Sequence, residues 1–204
     1  VNRFSLAENL AFDTQEDYPV DDELHRRYSN LLSERGHWFD VSFSSGKLGA
    51  LSRQQRQLTW TTPLTEHWRM AIDLHQNTQK TKDVTVLGFP PKQSDALNVS
   101  FTHHLEQNDW TIAIHKADSL AAYTGWRVAQ HYKFDSKFAA NWLWSQHQES
   151  TDSTGLLVAG MKNRLAASIN WTPTGREYVN AELAVDDYLS QNGQTLGNGN
   201  ILTI

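Results

Sequence analysis

From Gly36 onward, apolar and polar side chains alternate with a period of two, the pattern of strands with one apolar and one polar face. Phe39, Val41 and Phe43 alternate with Asp40, Ser42 and Ser44, and Leu58 and Trp60 with Gln57, Thr59 and Thr61. Trp68, Met70, Ile72 and Leu74 alternate with Arg69, Ala71, Asp73 and His75. The same parity recurs around Leu97–Phe101, Trp110–Ile114, Trp126–Phe134, Phe138–Trp144, Leu165–Trp171 and Val179–Val185. Nine strands can be read this way, and Asn200–Ile204 reads as a tenth just starting. Residues 1–35 differ. Leu24, Tyr28, Leu31 and Leu32 recur at helical spacing after the capping candidates Asp21 and Asp22, and Gly36 is a natural stop. Residues 4–12 fit a strand or a helix. The expected division is a helical junction over 1–35 and a β-domain over 36–204.

The connections divide into two kinds. Residues 63–67, 106–109, 135–137 and 172–176 are tight; residues 79–96, 117–124, 148–156 and 188–200 are longer, and 46–53 is intermediate. In an antiparallel meander this alternation puts all tight turns at one end, the asymmetry of an outer-membrane β-barrel. Trp60, Trp68, Trp110, Phe134, Phe138, Trp171 and Tyr178 stand beside the tight turns, as in an aromatic girdle at a membrane interface. In the connection 79–96, the apolar stretch Val84–Phe89 between lysines predicts a loop that folds back and narrows a pore. The fold class expected is all-β: a meander barrel of about ten strands behind a short helical segment.

Composition sharpens this reading. Of 204 residues, 39% are hydrophobic and 20% charged, and the mean hydropathy of −0.58 excludes a bundle of membrane helices but not a barrel, whose strands turn only alternate residues to lipid. Cysteine is absent, which removes disulfides and thiolate metal sites. The net charge of −5 argues against a nucleic-acid partner. The chain starts at Val1 in mid-pattern, so both ends are expected to be cut from a longer protein.

With the helical segment Asp22-Glu23-Leu24-His25-Arg26-Arg27-Tyr28, the meander, and the tail Gly175-Arg176-Glu177-Tyr178-Val179-Asn180-Ala181-Glu182-Leu183 in view, the chain resembles the C-terminal barrels of exopolysaccharide-export outer-membrane proteins of the PelB type. The resemblance spans most of the chain, in texture more than in any one motif. It departs from the family in lacking the repeats and a complete last strand with a closing aromatic. The resemblance implies a porin-like channel in the Gram-negative outer membrane for a secreted biofilm polysaccharide. It also implies periplasmic partner proteins bound through upstream tetratricopeptide repeats.

If the apolar residues face lipid, the opposite parity places Arg69, Asp73, His75, His104, Arg127, Lys133, Arg164, Glu182 and Asp186 on the pore wall. His115, Asn98, Ser100, Asn141, Ser168 and Asn180 join them, a wet surface for weak, repeated contacts with a sugar polymer. Asp40, Asp73, Glu182 and Asp186 suggest an acidic path for a chain of free amino sugars, whereas Arg69, Arg127, Lys133 and Arg164 at the same parity favour a near-neutral one. His75, His104, His115 and His131 share this face but come from four successive strands, so no metal or other cofactor is expected. No nucleophile motif singles out a catalytic residue, and no enzyme is expected. The rival classes are a barrel protease or lipase and a soluble β-barrel binding module.

Overall fold

The computed structural model describes residues 10, 13–14, 18, 21–65, 67–83, 90–174 and 177–204. Residues 4–12, apart from 10, and the apolar stretch 84–89 lie outside them.

Helix α1 (Asp22–Arg35) begins where the sequence signals it. The Asp21 carboxylate accepts from the backbone N–H groups of Glu23 and Leu24, each at 3.0 Å, satisfying two of the unpaired donors of the first turn. Gly36 follows the last turn.

Ten strands follow: β1 (Trp38–Leu48), β2 (Leu51–Pro63), β3 (Trp68–Thr81), β4 (Gln93–His104), β5 (Asn108–Asp118), β6 (Ala122–Lys133), β7 (Phe138–Glu149), β8 (Gly160–Trp171), β9 (Val179–Ser190) and β10 (Thr195–Thr203). They form one sheet in chain order, and each neighbouring pair is antiparallel. Among the described residues β1 and β10 do not pair, so the sheet is curled but open. The curl is deep enough for Arg53 of β2 to reach Glu149 of β7 at 3.0 Å across the hollow. The first nine strands have 11–14 residues, enough to cross a bilayer when tilted.

Parity decides which face each side chain takes. In β8, Leu165 is 59% exposed and Ala166 9%; in β9, Leu183 is 64% exposed and Ala184 4%. Phe39, Phe101, Ile114, Ile169 and Trp171 stand out on the convex face with them. Apart from Leu51, the buried residues of the concave face are small or polar: Ala113, Ala117, Ala166, Ala184, Asn77, Gln79, Ser145 and Asp186. Among the described residues there is no dry aromatic interior of the kind a sandwich packs. Several of the polar residues that fall on the convex face are paired there. Trp126 Nε1 donates to Gln146 at 3.2 Å, Trp142 Nε1 donates to Gln130, and Gln130 donates to Asn108 at 2.8 Å.

Three expectations need correction. The connections at the end away from α1 are not uniformly long: 49–50, 119–121 and 191–194 are short, and only 82–92 and the β7–β8 connection are extended. The strands run past the apolar band on residues polar to both sides, such as Gln76–Gln79, so they outlast the alternation that marked them. β10 begins at Thr195 rather than Asn200. Leu157–Ala159, read as the start of β8, belong to a second helix, α2 (Thr154–Ala159), capped by the Ser153 hydroxyl, which accepts from Leu156 N at 3.2 Å.

One close approach explains a glycine. β7 carries a bulge between Ser145 and Gln148, with His147 in the left-handed region at φ 52°. His115 of β5 reaches across β6 to donate to the bulged His147 carbonyl at 2.7 Å. It passes over Gly125, where a Cβ would lie 2.3 Å from the imidazole and 2.4 Å from the Gln146 carbonyl. Gly125→Ala is therefore expected to lower stability by about 1–3 kcal/mol, the usual effect of overpacking. Denaturant unfolding of the reconstituted protein measures it, and an unchanged midpoint would contradict the packing described.

Candidate functional site

The concave face is a wall of polar side chains joined sideways from strand to strand. Thr59 donates to Asp73 at 2.7 Å, and Asn98 donates to the other Asp73 oxygen at 2.9 Å, linking β2, β3 and β4. His131 donates to Asn141, and Asn141 donates to Ser168 at 3.0 Å, linking β6, β7 and β8. Gln55 donates to His75 at 3.3 Å, and His104 donates to Asp109 at 3.0 Å. Among the described residues no serine joins that Asp–His pair, and no three His, Cys, Asp or Glu converge as metal ligands.

The strongest cluster lies on β8 and β9. Asp186 is fully buried, with Arg164 at 3.0 Å and Lys162 at 3.6 Å from one carboxylate oxygen. Arg164 also holds Glu182. Lys162 reaches on to Asp152 in the β7–β8 connection at 2.9 Å. Burial raises the Asp152 carboxyl, but hydrogen bonds from Lys162, Tyr188 and Ser150, with the Lys162 charge, outweigh it and hold the group below its ordinary value.

The nine residues assigned to the wall by parity therefore separate. Asp73, His75, His104, Arg164, Glu182 and Asp186 are engaged with neighbours in the wall. Arg69 is half-buried on the same face, and Lys133 is exposed at the rim beside the β6–β7 turn. Arg127 stands between two hollows. One, of about 430 Å³, is lined by Thr111, Arg127, His131, Asn141, Arg164 and Glu182; the other, of about 210 Å³, by Asn98, His115, Tyr123, Arg127, Glu149 and Leu157. By parity and pairing, Arg53, Arg69, Arg127, Lys133, Lys162 and Arg164 face the same space as Asp40, Asp73, Asp109, Glu149, Glu182 and Asp186. Among the described strand residues, positive and negative charges on this wall are equal in number.

The smaller hollow is roofed by α2, which sequence reasoning missed. Val158 is buried, and Leu157 projects into the hollow. Gln191, in the β9–β10 turn, fixes the roof: its amide nitrogen donates to the Val158 carbonyl at 3.2 Å. Its amide oxygen accepts from Leu120 N and Ala121 N at 3.0 and 3.1 Å. One buried side chain thus ties three connections together. Gly160 lets the helix turn into β8, since a Cβ there would lie 2.7 Å from the Leu156 side chain. The constriction expected of residues 79–96 rests on the stretch 84–89, outside the described residues.

The model of one known family, the PelB C-terminal β-barrel domain, matches residues 34–204. The chain belongs to that family. The match begins at the end of α1 and takes in every strand, so the two-faced meander and its roofed hollow are features of a PelB C-terminal barrel. No curated protein matches the chain. No helix of the described residues is long and apolar enough to cross a membrane.

Two outcomes follow from the charge cluster. Asp186→Asn keeps the shape but leaves Arg164 and Lys162 facing a neutral group, and is expected to cost about 3 kcal/mol in urea unfolding. The Asp152 contribution has the sign of a lowered carboxyl: it is fully present above the ordinary value of 3.8 and lost as the pH falls through the lower folded value. Hydrogen exchange over 154–159 should rise on acidification below that value. In Asp152→Asn it should already be raised at neutral pH and should lose this pH dependence.

Proposed function

We propose that this chain forms part of a bacterial outer-membrane barrel through which a secreted polysaccharide leaves the cell. The observation that carries the reading is the pairing of an exposed apolar convex face with a polar concave face in strands of bilayer length. In water such a face would be an aggregation surface; against lipid it is satisfied. Membership of the PelB barrel family supports a secreted polysaccharide as the cargo. A neutral sum of charges, many of them already paired within the wall, suits a hydrated polymer that must slide without a deep well. The upstream helical repeats and their periplasmic partners belong to this proposal, as does a porin-like open path. No grouping of wall residues favours a protease or lipase over this reading.

Reconstitution tests it. The detergent-purified protein is expected to show heat-modifiable mobility and to conduct ions in planar bilayers; a chain that stays soluble without detergent would refute the membrane assignment. Leu165→Arg, near the middle of the lipid face, is expected to cost about 2–4 kcal/mol of folding free energy in bilayers. Ser168→Arg, on the wall, should leave folding nearly unchanged and lower conductance. Replacing Thr154–Ala159 by a short Gly-Ser turn should raise conductance, because it removes the roof over the smaller hollow.

A further inference from the structure

The convex face has a feature that passage through the hollow does not use. On the side away from α1, the apolar band ends in a groove of about 680 Å³ floored by Val41, Phe43, Leu58, Leu74 and Leu97. Arg56 of β2 and Lys116 of β5 flank it, both exposed. Two rows of that face further toward the rim than Arg56, Lys47 of β1 and Lys80 of β3 point outward, level with Ser52 of β2 in the strand register. None of the four makes an ion pair among the described residues. The acids nearby are Asp95, whose carboxylate accepts from Gln76 and Gln93, and Asp118. Four cations thus stand against two acids at the edge of an apolar surface.

We propose that this groove binds a phosphorylated, multiply acylated glycolipid of the outer leaflet, its acyl chains on the apolar floor and its phosphates on Arg56 and Lys116, then Lys47 and Lys80. The inference rests on the outer-membrane reading above, which puts this rim in the outer leaflet. The spacing selects the class. The cations span β1 to β5, about four strand spacings of roughly 4.8 Å each, and form an inner tier, Arg56 and Lys116 on adjacent rows, and an outer tier, Lys47 and Lys80, about 13 Å beyond Arg56 along the strands. A headgroup with one phosphate bridges neighbouring strands only; one with several phosphates on a sugar backbone reaches both tiers. Arg56 offers a planar donor fork for phosphate, and Lys116, rising from the aliphatic row of Leu58, Leu74 and Leu97, lays its stem along the groove and its ammonium toward the headgroups.

The test is retention of lipid by the full-length protein in nanodiscs made with a bisphosphorylated multiply acylated glycolipid, with its dephosphorylated form, or with zwitterionic phospholipid alone. Native mass spectrometry after detergent extraction is expected to show the bisphosphorylated lipid retained, and at least fivefold less of the dephosphorylated form. Arg56→Gln with Lys116→Gln should lose retention at least fivefold, while Lys133→Gln with Lys137→Gln at the opposite rim should not. Equal retention of both lipid forms, or equal loss in both double variants, would overturn the proposal. Failure to enter the nanodisc at all, with no heat-modifiable band, would instead overturn the outer-membrane reading on which it rests.

Discussion

The structure depends on one constraint: each strand satisfies its backbone hydrogen bonds on its neighbours, so the side chains must leave the sheet alternately to either side. With the ladders running from β1 to β10, shifted at the bulges after Ser145 and Thr195, every strand residue outside those bulges belongs to the convex or the concave face, and a slip of one residue would exchange them. Leu165 and Ala166, or Leu183 and Ala184, are neighbours in sequence and opposites in environment for this reason alone. The polar wall and the apolar belt are two outcomes of the same pairing.

That constraint made most of the fold legible. Alternation of Trp68, Met70, Ile72 and Leu74 with Arg69, Ala71, Asp73 and His75 fixes both the strand and its sides, and Asp21 and Gly36 bound α1 by local chemistry. What failed to show was whatever the period does not carry. Gln76–Gln79 continue β3 with polar groups on both faces, so the strand outlasts its signal and the loop after it looked longer than it is. Leu157–Ala159 form an apolar run next to β8 and read as its continuation, although the Ser153 cap makes them part of a helix.

The candidate site was legible as a face and not as a set of partners. Parity assigns Arg164, Glu182 and Asp186 to one wall, but that Lys162 shares Asp186 and reaches back to Asp152 follows from the register of β8 on β9 and the path of the β7–β8 connection. The roof is held by Gln191, which lies 33 residues from its partner Val158 and has nothing in its neighbourhood to mark it. Gly125 was likewise an unremarked glycine until His115 was seen crossing over it.

Ala113, Ala117, Ala166 and Ala184 give the concave face its relief. Because they turn away from the convex side, their size sets the calibre of the hollow without altering what the outside of the sheet meets. Exchanging an alanine there for a larger side chain would narrow the bore locally, much as a stepped lining narrows a tube of fixed outer diameter. A wall of this kind can be reshaped on its inner side by single substitutions, leaving its fit to the surrounding medium unaltered.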